Sequence, residues 1–186
     1  MPDVRAIYHR TKESNIYPLG GGRYLIEALL RDEVHDVVVE VEVMHPTLEI
    51  VAARSEIRNG PFTNVCNGTA PNMQGLVGMR VGRGFTMDAR KAVGGIQGCH
   101  RVSELVVEIA QAAYQLHFAV YFEGLPAEVR EREDVPIDRW RAINAAVPGM
   151  RNTCHTYSDV RESEIAEKAD KLKLLAQDLP VRSVAE

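Results

Sequence analysis

The chain has 186 residues, of which 45% are hydrophobic and 26% are charged, and its formal net charge is -4. These values are typical of a globular protein, and we treat residues 1–186 as a single domain. The negative charge argues against a nucleic-acid-binding protein, because phosphate contacts need a basic face. No apolar run reaches membrane-spanning length, and no secretory signal pattern opens the sequence. We therefore expect a cytoplasmic protein that binds neither nucleic acid nor membrane.

The first third of the chain predicts an antiparallel β-meander. Residues 1–22 show no alternation and are predicted to be irregular. Residues 23–31 alternate, and residues 35–44 alternate more clearly, with valines on one face and charged side chains on the other. A third strand is predicted at 47–57. Short connections between three such segments indicate a sheet with one buried face. The valines of that face are Val37, Val39, Val41 and Val43.

The rest of the chain is predicted to be mainly helical. A short helix is expected at 72–81, and Thr86 is a plausible N-cap for another that ends at Gly94 and Gly95. A long helix then follows Gly98, because apolar residues recur at steps of three and four. The fold class is thus α+β, an antiparallel β-meander packed against a long central helix with additional helices. The apolar stripe of the long helix is Val102, Val106, Ile109, Ala113, Leu116 and Val120.

Groups suited to proton transfer occur in three separate stretches of the sequence. His35 opens the second predicted strand, and a cluster stands at the start of the long helix. Another group lies in a late segment that is rich in reactive side chains. We expect these stretches to converge in a cleft where acid–base chemistry needs no cofactor. The candidate catalytic residues are His35, His100, Arg101, Glu104, His155 and Tyr157.

The three cysteines allow two other hypotheses about the functional site. Cys66, Cys99 and Cys154 with one histidine have the chemistry of a zinc site, although no pair has the C-x-x-C spacing. Cys99 near a helix N-terminus could instead be a nucleophile, with His100 or His155 as its base. Free cysteines are also commonly small buried residues that only pack.

Two blocks of the sequence resemble an uncharacterised bacterial family that is catalogued as a domain of unknown function. The first block runs from Leu76 to Phe85, and the second is the Gly-Gly-x-x-Gly-Cys signature at residues 94–99. The late Asn-Thr-Cys-His motif at 152–155 is also similar to that family. The resemblance covers residues 23–158, within which 123–141 looks like an insertion, and a C-terminal helix follows at 163–179. The family commonly has a histidine where this chain has Arg101.

This resemblance implies a role in the bacterial catabolism of aromatic compounds, including lignin-derived dimers. The implied activity is a cofactor-independent lyase that releases formaldehyde from a hydroxymethyl side chain and leaves a stilbene. The binding partner would be a small aromatic substrate, and no cofactor or metal would be needed. The chain could also form a homo-oligomer. Alternatives are a non-catalytic small-molecule-binding accessory protein and a Cys/His metal or thiol enzyme. The residues expected to contact substrate are Cys99, Cys154, Arg80 and Phe85.

Overall fold

The computed structural model describes residues 5–123, and beyond them Arg141, Asn152, Cys154, His155, Ser158, Asp159 and residues 162–167. The chain divides into two compact units, Met1–His117 and Phe118–Glu186. Within the described residues, none of the helices has the length and apolarity that crossing a membrane requires.

The first unit contains a four-stranded antiparallel sheet in which the strands are neighbours in sequence order. Its helices follow in sequence, so the fold is α+β and the prediction of a β-meander is confirmed. The strands are β1 (Arg10–Gly20), β2 (Arg23–Asp32), β3 (Asp36–Met44) and β4 (Glu49–Asn59).

Alternation on β3 creates the apolar face of the sheet. Its four predicted valines are all fully buried, as expected for side chains that share one face of a strand. The register extends this face into β2, because Ala28 lies opposite Val39 and Ile26 lies opposite Val41. These β2 residues are also fully buried. The core face is therefore set by two central strands.

The outer edge of β4 is covered by the segments that follow it. The side-chain amide of Asn67 imitates a strand: its Oδ1 accepts from the Ile57 amide at 2.9 Å, and its Nδ2 donates to the Ile57 carbonyl at 2.8 Å. Further along, the Gly78 amide donates to the Ile50 carbonyl, and the Ile50 amide donates to the Met79 carbonyl, both at 2.8 Å. Hydrogen-bonding groups at both ends of this edge are thereby satisfied.

The short helices differ in part from the predicted ones. The segment predicted as a helix at 72–81 is a 3₁₀ helix, Ala70–Leu76. Thr86 lies inside its helix rather than at the N-cap, which is Gly84 with φ 87°. The elements after the sheet are α1 (Thr63–Asn67), the 3₁₀ helix Ala70–Leu76, α2 (Phe85–Val93), the 3₁₀ turn Gly95–Gln97 and α3 (His100–Glu123).

The apolar stripe of α3 covers the buried face of the sheet. Val102, Val106, Ile109, Ala113 and Leu116 are all buried, as the periodicity predicts. Contacts near both ends of the helix fix its direction. Glu104 contacts Arg10 at the start of β1, whereas His117 contacts His45 just after β3. The helix therefore runs along the strands of the sheet.

The prediction that residues 1–22 are irregular is wrong, because Arg10–Gly20 form β1. The sequence does not reveal this strand because Arg10, Lys12 and Ser14 occupy inward-facing positions where a strand usually carries apolar residues. Arg10 and Lys12 lie opposite Asp32 and Leu30, and both cations pair with Glu104 of α3. An ionic contact thus replaces the apolar alternation that normally identifies a strand.

Other predictions concern the second unit. The proposed insertion at 123–141 lies outside the described residues except at Glu123 and Arg141. Of the predicted C-terminal helix at 163–179, residues 163–167 are described and are helical, and the remainder lies outside the described part.

The burial of Ile109 predicts a large effect of truncation. Its side chain is fully buried in the middle of α3, so Ile109→Ala removes packed atoms and leaves a cavity. We expect the free energy of unfolding to fall by about 2–5 kcal/mol, measured by urea denaturation. Gln111→Ala, on the exposed side of the same helix, is the matched control and should change it by less than about 0.5 kcal/mol. Equal effects of the two substitutions would contradict the packing described here.

Candidate functional site

A buried carboxylate, Asp32, joins the ends of β1, β2 and β3. Its Oδ1 accepts hydrogen bonds from the backbone amides of Val34 at 3.0 Å and His35 at 2.8 Å. Its Oδ2 accepts from the Tyr8 hydroxyl at 2.9 Å and from Arg10 Nη2 at 3.1 Å. Burial alone would raise its pKa, but the hydrogen bonds from Val34, His35 and Tyr8 outweigh burial and hold the pKa far below its ordinary value. Asp32 is therefore ionised in the folded protein.

Asp32 also orients the imidazole of His35. The Nδ1 atom of His35 lies 2.9 Å from Asp32 Oδ1, and the His35 side chain is 22% exposed. A carboxylate on one ring nitrogen selects the tautomer and fixes the plane of the ring. Because Nδ1 faces Asp32, Nε2 is the nitrogen that can exchange a proton with a ligand. A partly exposed histidine that is held by a carboxylate has the chemical groups that a general base requires.

Glu104, in the first turns of α3, carries a second set of ionic contacts. It pairs with Lys12 and with Arg101 at 3.1 Å, and Arg10 Nη1 lies 3.5 Å away. Burial opposes its ionisation, but the hydrogen bonds from Lys12 and Arg101 and the charges of Lys12 and Arg10 lower its pKa below the ordinary value. Arg10 therefore bridges two ionised carboxylates, Asp32 and Glu104.

These contacts define one group of side chains, which we call the polar cluster. It contains three permanent cations and two carboxylates, so it carries one excess positive charge when His35 is neutral. A site with this balance favours a ligand or transition state that develops negative charge. The members of the polar cluster are Tyr8, Arg10, Lys12, Asp32, His35, Arg101 and Glu104.

An open pocket adjoins the polar cluster through Glu104. Its volume is about 510 Å³, which would admit a ligand of one or two rings. His100, the first residue of α3, stands on its wall, and the neighbouring Ser103 is buried. The described residues that line the pocket are Arg90, Gly94, Gly95, His100, Ser103 and Glu104.

The glycine signature at 94–99 is a tight turn that forms part of this wall. A Cβ on Gly98 would lie 2.1 Å from the Val93 carbonyl oxygen, and one on Gly94 would lie 2.6 Å from that of Arg90. Gly95 has φ 70°, a conformation that other residues rarely adopt. The turn closes where the Cys99 amide donates to the Val93 carbonyl at 3.1 Å. All three glycines are thus explained by close backbone approach or by a left-handed φ.

The structure brings several predicted site residues together. His35, Arg101 and Glu104 belong to the polar cluster, and His100 lines the adjoining pocket. Cys99, directly before α3, is half-buried.

Other predicted site residues of the first unit lie apart from this group. Phe85 begins α2 and is 4% exposed, so it packs in the core. Arg80 is exposed and pairs with Glu49 across a β-bridge.

The late motif belongs to the second unit. Cys154 and His155 are exposed there, and the Ser158 hydroxyl donates to the His155 carbonyl at 3.0 Å. Tyr157 lies outside the described residues. For the part of the chain that the structure describes, no three His, Cys, Asp or Glu side chains form a group that could hold a metal ion.

Sequence reasoning missed four members of the polar cluster: Tyr8, Arg10, Lys12 and Asp32. Three of them lie in residues 1–22, which the sequence predicts to be irregular. For Asp32 a signal existed, because an aspartate three residues before His35 at a strand end is typical of a turn in which the carboxylate accepts backbone amides. The pairing with His35 follows from that turn.

The sequence matches a family described as "protein of unknown function (DUF2889)" over residues 8–115, more than half of the chain. The chain belongs to this family. The match begins before β1 and ends within α3, so it includes the polar cluster and the glycine turn. The motif at 152–155 lies beyond it. No curated protein and no solved structure matches the chain.

The low pKa of Asp32 predicts a pH-dependent stability. Its contribution is present above the unfolded pKa of about 3.9 and is lost as the pH falls through the lower folded value. We expect Asp32→Asn to lower the free energy of unfolding at pH 7 by about 1–3 kcal/mol. Urea titrations should also show a shallower loss of stability below about pH 4 in this variant than in the wild type.

Asp88→Asn is the control for a carboxylate that is 61% exposed, and it should stay within about 0.5 kcal/mol of the wild type. A wild-type protein no more acid-sensitive than Asp32→Asn would contradict the role given to Asp32.

The close approach at Gly98 predicts that Gly98→Ala distorts the turn. Since the added Cβ meets backbone rather than a flexible side chain, we expect at least about 2 kcal/mol loss of unfolding free energy in urea. Gly82→Ala is the matched control, because a Cβ there has nothing within 4 Å. A Gly98→Ala variant as stable as Gly82→Ala would show that the turn relaxes freely.

Proposed function

We propose that this protein is a cofactor-independent lyase that removes a hydroxymethyl group, as formaldehyde, from a lignin-derived aromatic dimer and leaves a stilbene. The observation that carries the proposal is the Asp32–His35 pair inside a cluster with excess positive charge. Such a cluster supplies both a base and stabilisation of an anion, which are the two requirements of this reaction.

The reaction begins with removal of a proton from the substrate hydroxyl. His35 Nε2 takes this proton, and Asp32 stabilises the imidazolium that forms. The C–C bond to the hydroxymethyl carbon then breaks, and that carbon leaves as formaldehyde. Its bonding pair forms the C=C bond between the rings and expels an aryloxide oxygen from the adjacent carbon. The aryloxide finally takes the proton from His35, so that atoms and charge balance.

The cationic members of the polar cluster support the second requirement. As the C–O bond breaks, negative charge develops on an aryloxide, and Arg101 and Arg10 supply permanent positive charge that can stabilise it. With Lys12 they make three cations against the two carboxylates Glu104 and Asp32, so the positive charge is only partly neutralised. Removal of one preorganised donor from such a site typically lowers the rate by about 10²–10³-fold.

The pocket beside the cluster supports an aromatic substrate. Gly94 and Gly95 present backbone without side chains, on which a flat ring can lie. The next residue, Ile96, is apolar and 98% exposed, and it offers apolar surface at the rim of the same turn. Binding a ring against this surface would bury apolar area that the free protein leaves in water.

The test uses a two-ring phenolic substrate that has a hydroxymethyl group and an aryl ether on the adjacent carbon. Purified protein without added cofactor should release formaldehyde and stilbene in equal amounts, followed by colorimetry and by absorbance. We expect His35→Ala to lower kcat by about 10²–10⁴-fold, since it removes the base. His9→Ala replaces an exposed histidine of the preceding segment and should leave kcat unchanged.

Three further variants separate the roles. Arg101→Ala should lower kcat through loss of charge stabilisation, and His100→Ala should mainly raise KM because His100 lines the pocket. Cys99→Ser should keep most of the activity. Loss of activity in a folded Cys99→Ser variant would instead favour a thiol enzyme. If the wild type releases no formaldehyde from any such substrate, the proposed reaction is wrong.

The engagement of both carboxylates favours one alternative, a non-catalytic protein that binds an anionic aromatic compound. Asp32 and Glu104 are both held by cations, an arrangement that also suits anion binding alone. Such a protein would show a rise in melting temperature with a phenolic acid but no turnover.

A further inference from the structure

Two histidines from distant parts of the chain meet at the other end of the sheet from the polar cluster. His45 follows β3 directly, and His117 lies on α3. His45 Nε2 and His117 Nδ1 are 3.1 Å apart, and the ring centroids are 5.0 Å apart with the rings tilted by 56°. Their separation in sequence is 72 residues, so the fold itself creates this contact.

The spacing of these nitrogens suits a shared metal ion. Two imidazole nitrogens that each lie about 2.0–2.1 Å from a tetrahedral Zn²⁺ are separated by about 3.3–3.4 Å. A shift of a few tenths of an ångström would bring His45 and His117 to this spacing. Binding requires the tautomers with protons on His45 Nδ1 and His117 Nε2, so that the two facing nitrogens both present lone pairs.

The His45 ring is held by its neighbours. The His45 backbone amide donates to the Gly22 carbonyl at 2.8 Å, and the Tyr24 ring packs edge-on against the His45 imidazole with centroids 6.1 Å apart. Both histidine side chains are part-buried. Because its neighbours restrain the His45 ring in this way, that ring loses little conformational freedom when it binds a metal ion together with His117.

We propose that His45 and His117 form a two-histidine site for a divalent transition metal ion such as Zn²⁺. Imidazole pairs suit zinc, nickel and copper, and water or a ligand would complete the coordination. This site is distinct from the proposed lyase centre. Nine residues of β3 separate His45 from His35, which corresponds to about 30 Å at the rise of an antiparallel strand.

Cobalt provides the direct test, because Co²⁺ takes zinc-like geometry and reports its ligands by absorbance. Titration of the full chain with Co²⁺ should give saturable d–d bands at one equivalent, without the thiolate charge-transfer band that cysteine ligation produces. Zn²⁺ should displace Co²⁺ and raise the melting temperature of the wild type. A thiolate band, or binding without saturation, would overturn the assignment.

Variants then locate the ion. His117→Gln keeps a side chain that can hydrogen-bond to His45 but removes one imidazole, and it should weaken Co²⁺ binding at least tenfold. His45→Asn should do the same, whereas His9→Ala, the control for an exposed histidine, should bind as the wild type does. Equal binding in His117→Gln and the wild type would refute the site. A chelator should remove Co²⁺ from the protein without changing formaldehyde release. This result would show that the metal site does not take part in the lyase reaction.

Discussion

The ionic bridge made by Arg10 is the contact on which the arrangement of the first unit depends. Its guanidinium contacts Asp32 at 3.1 Å on one side and Glu104 at 3.5 Å on the other. This one side chain therefore connects the edge strand β1, the turn between β2 and β3, and the long helix α3. Apolar packing places α3 over the sheet but does not by itself set its position along the strands. The charged groups at the end of the sheet set this position, because their hydrogen-bond geometry would be lost if α3 slid along the strands.

The glycine turn at residues 94–99 determines where the same helix begins. Because Gly98 allows the backbone to close on Val93, α3 begins immediately after α2 and its first residues are placed beside the end of the sheet. This brings Arg101 and Glu104 within reach of β1. The signature and the polar cluster are thus two parts of one arrangement: the turn fixes where the helix starts, and the ion pairs fix what its first turn contacts.

Periodicity explains which parts of this fold could be predicted from sequence. Val37, Val39, Val41 and Val43 alternate, and the stripe through Ile109 recurs at helical spacing, so β3 and α3 were found. The strand β1 carries Arg10 and Lys12 at inward positions, and a local pattern does not predict it, because Glu104, the partner of Arg10 on α3, lies 94 residues away. The sequence predicts that three stretches converge, and the structure connects two of them, those of His35 and Arg101, through Asp32, Arg10 and Glu104. The carboxylates and cations that connect them follow only from tertiary structure.

The covering of the β4 edge has a consequence for how this domain meets other chains. Asn67 occupies the hydrogen-bonding groups of Ile57, and the segment around Gly78 and Met79 occupies those of Ile50. An incoming strand would have to displace both before it could extend the sheet at β4. Strand addition at β4, whether in a regular oligomer or in an aggregate, is therefore opposed by contacts that the chain itself already makes.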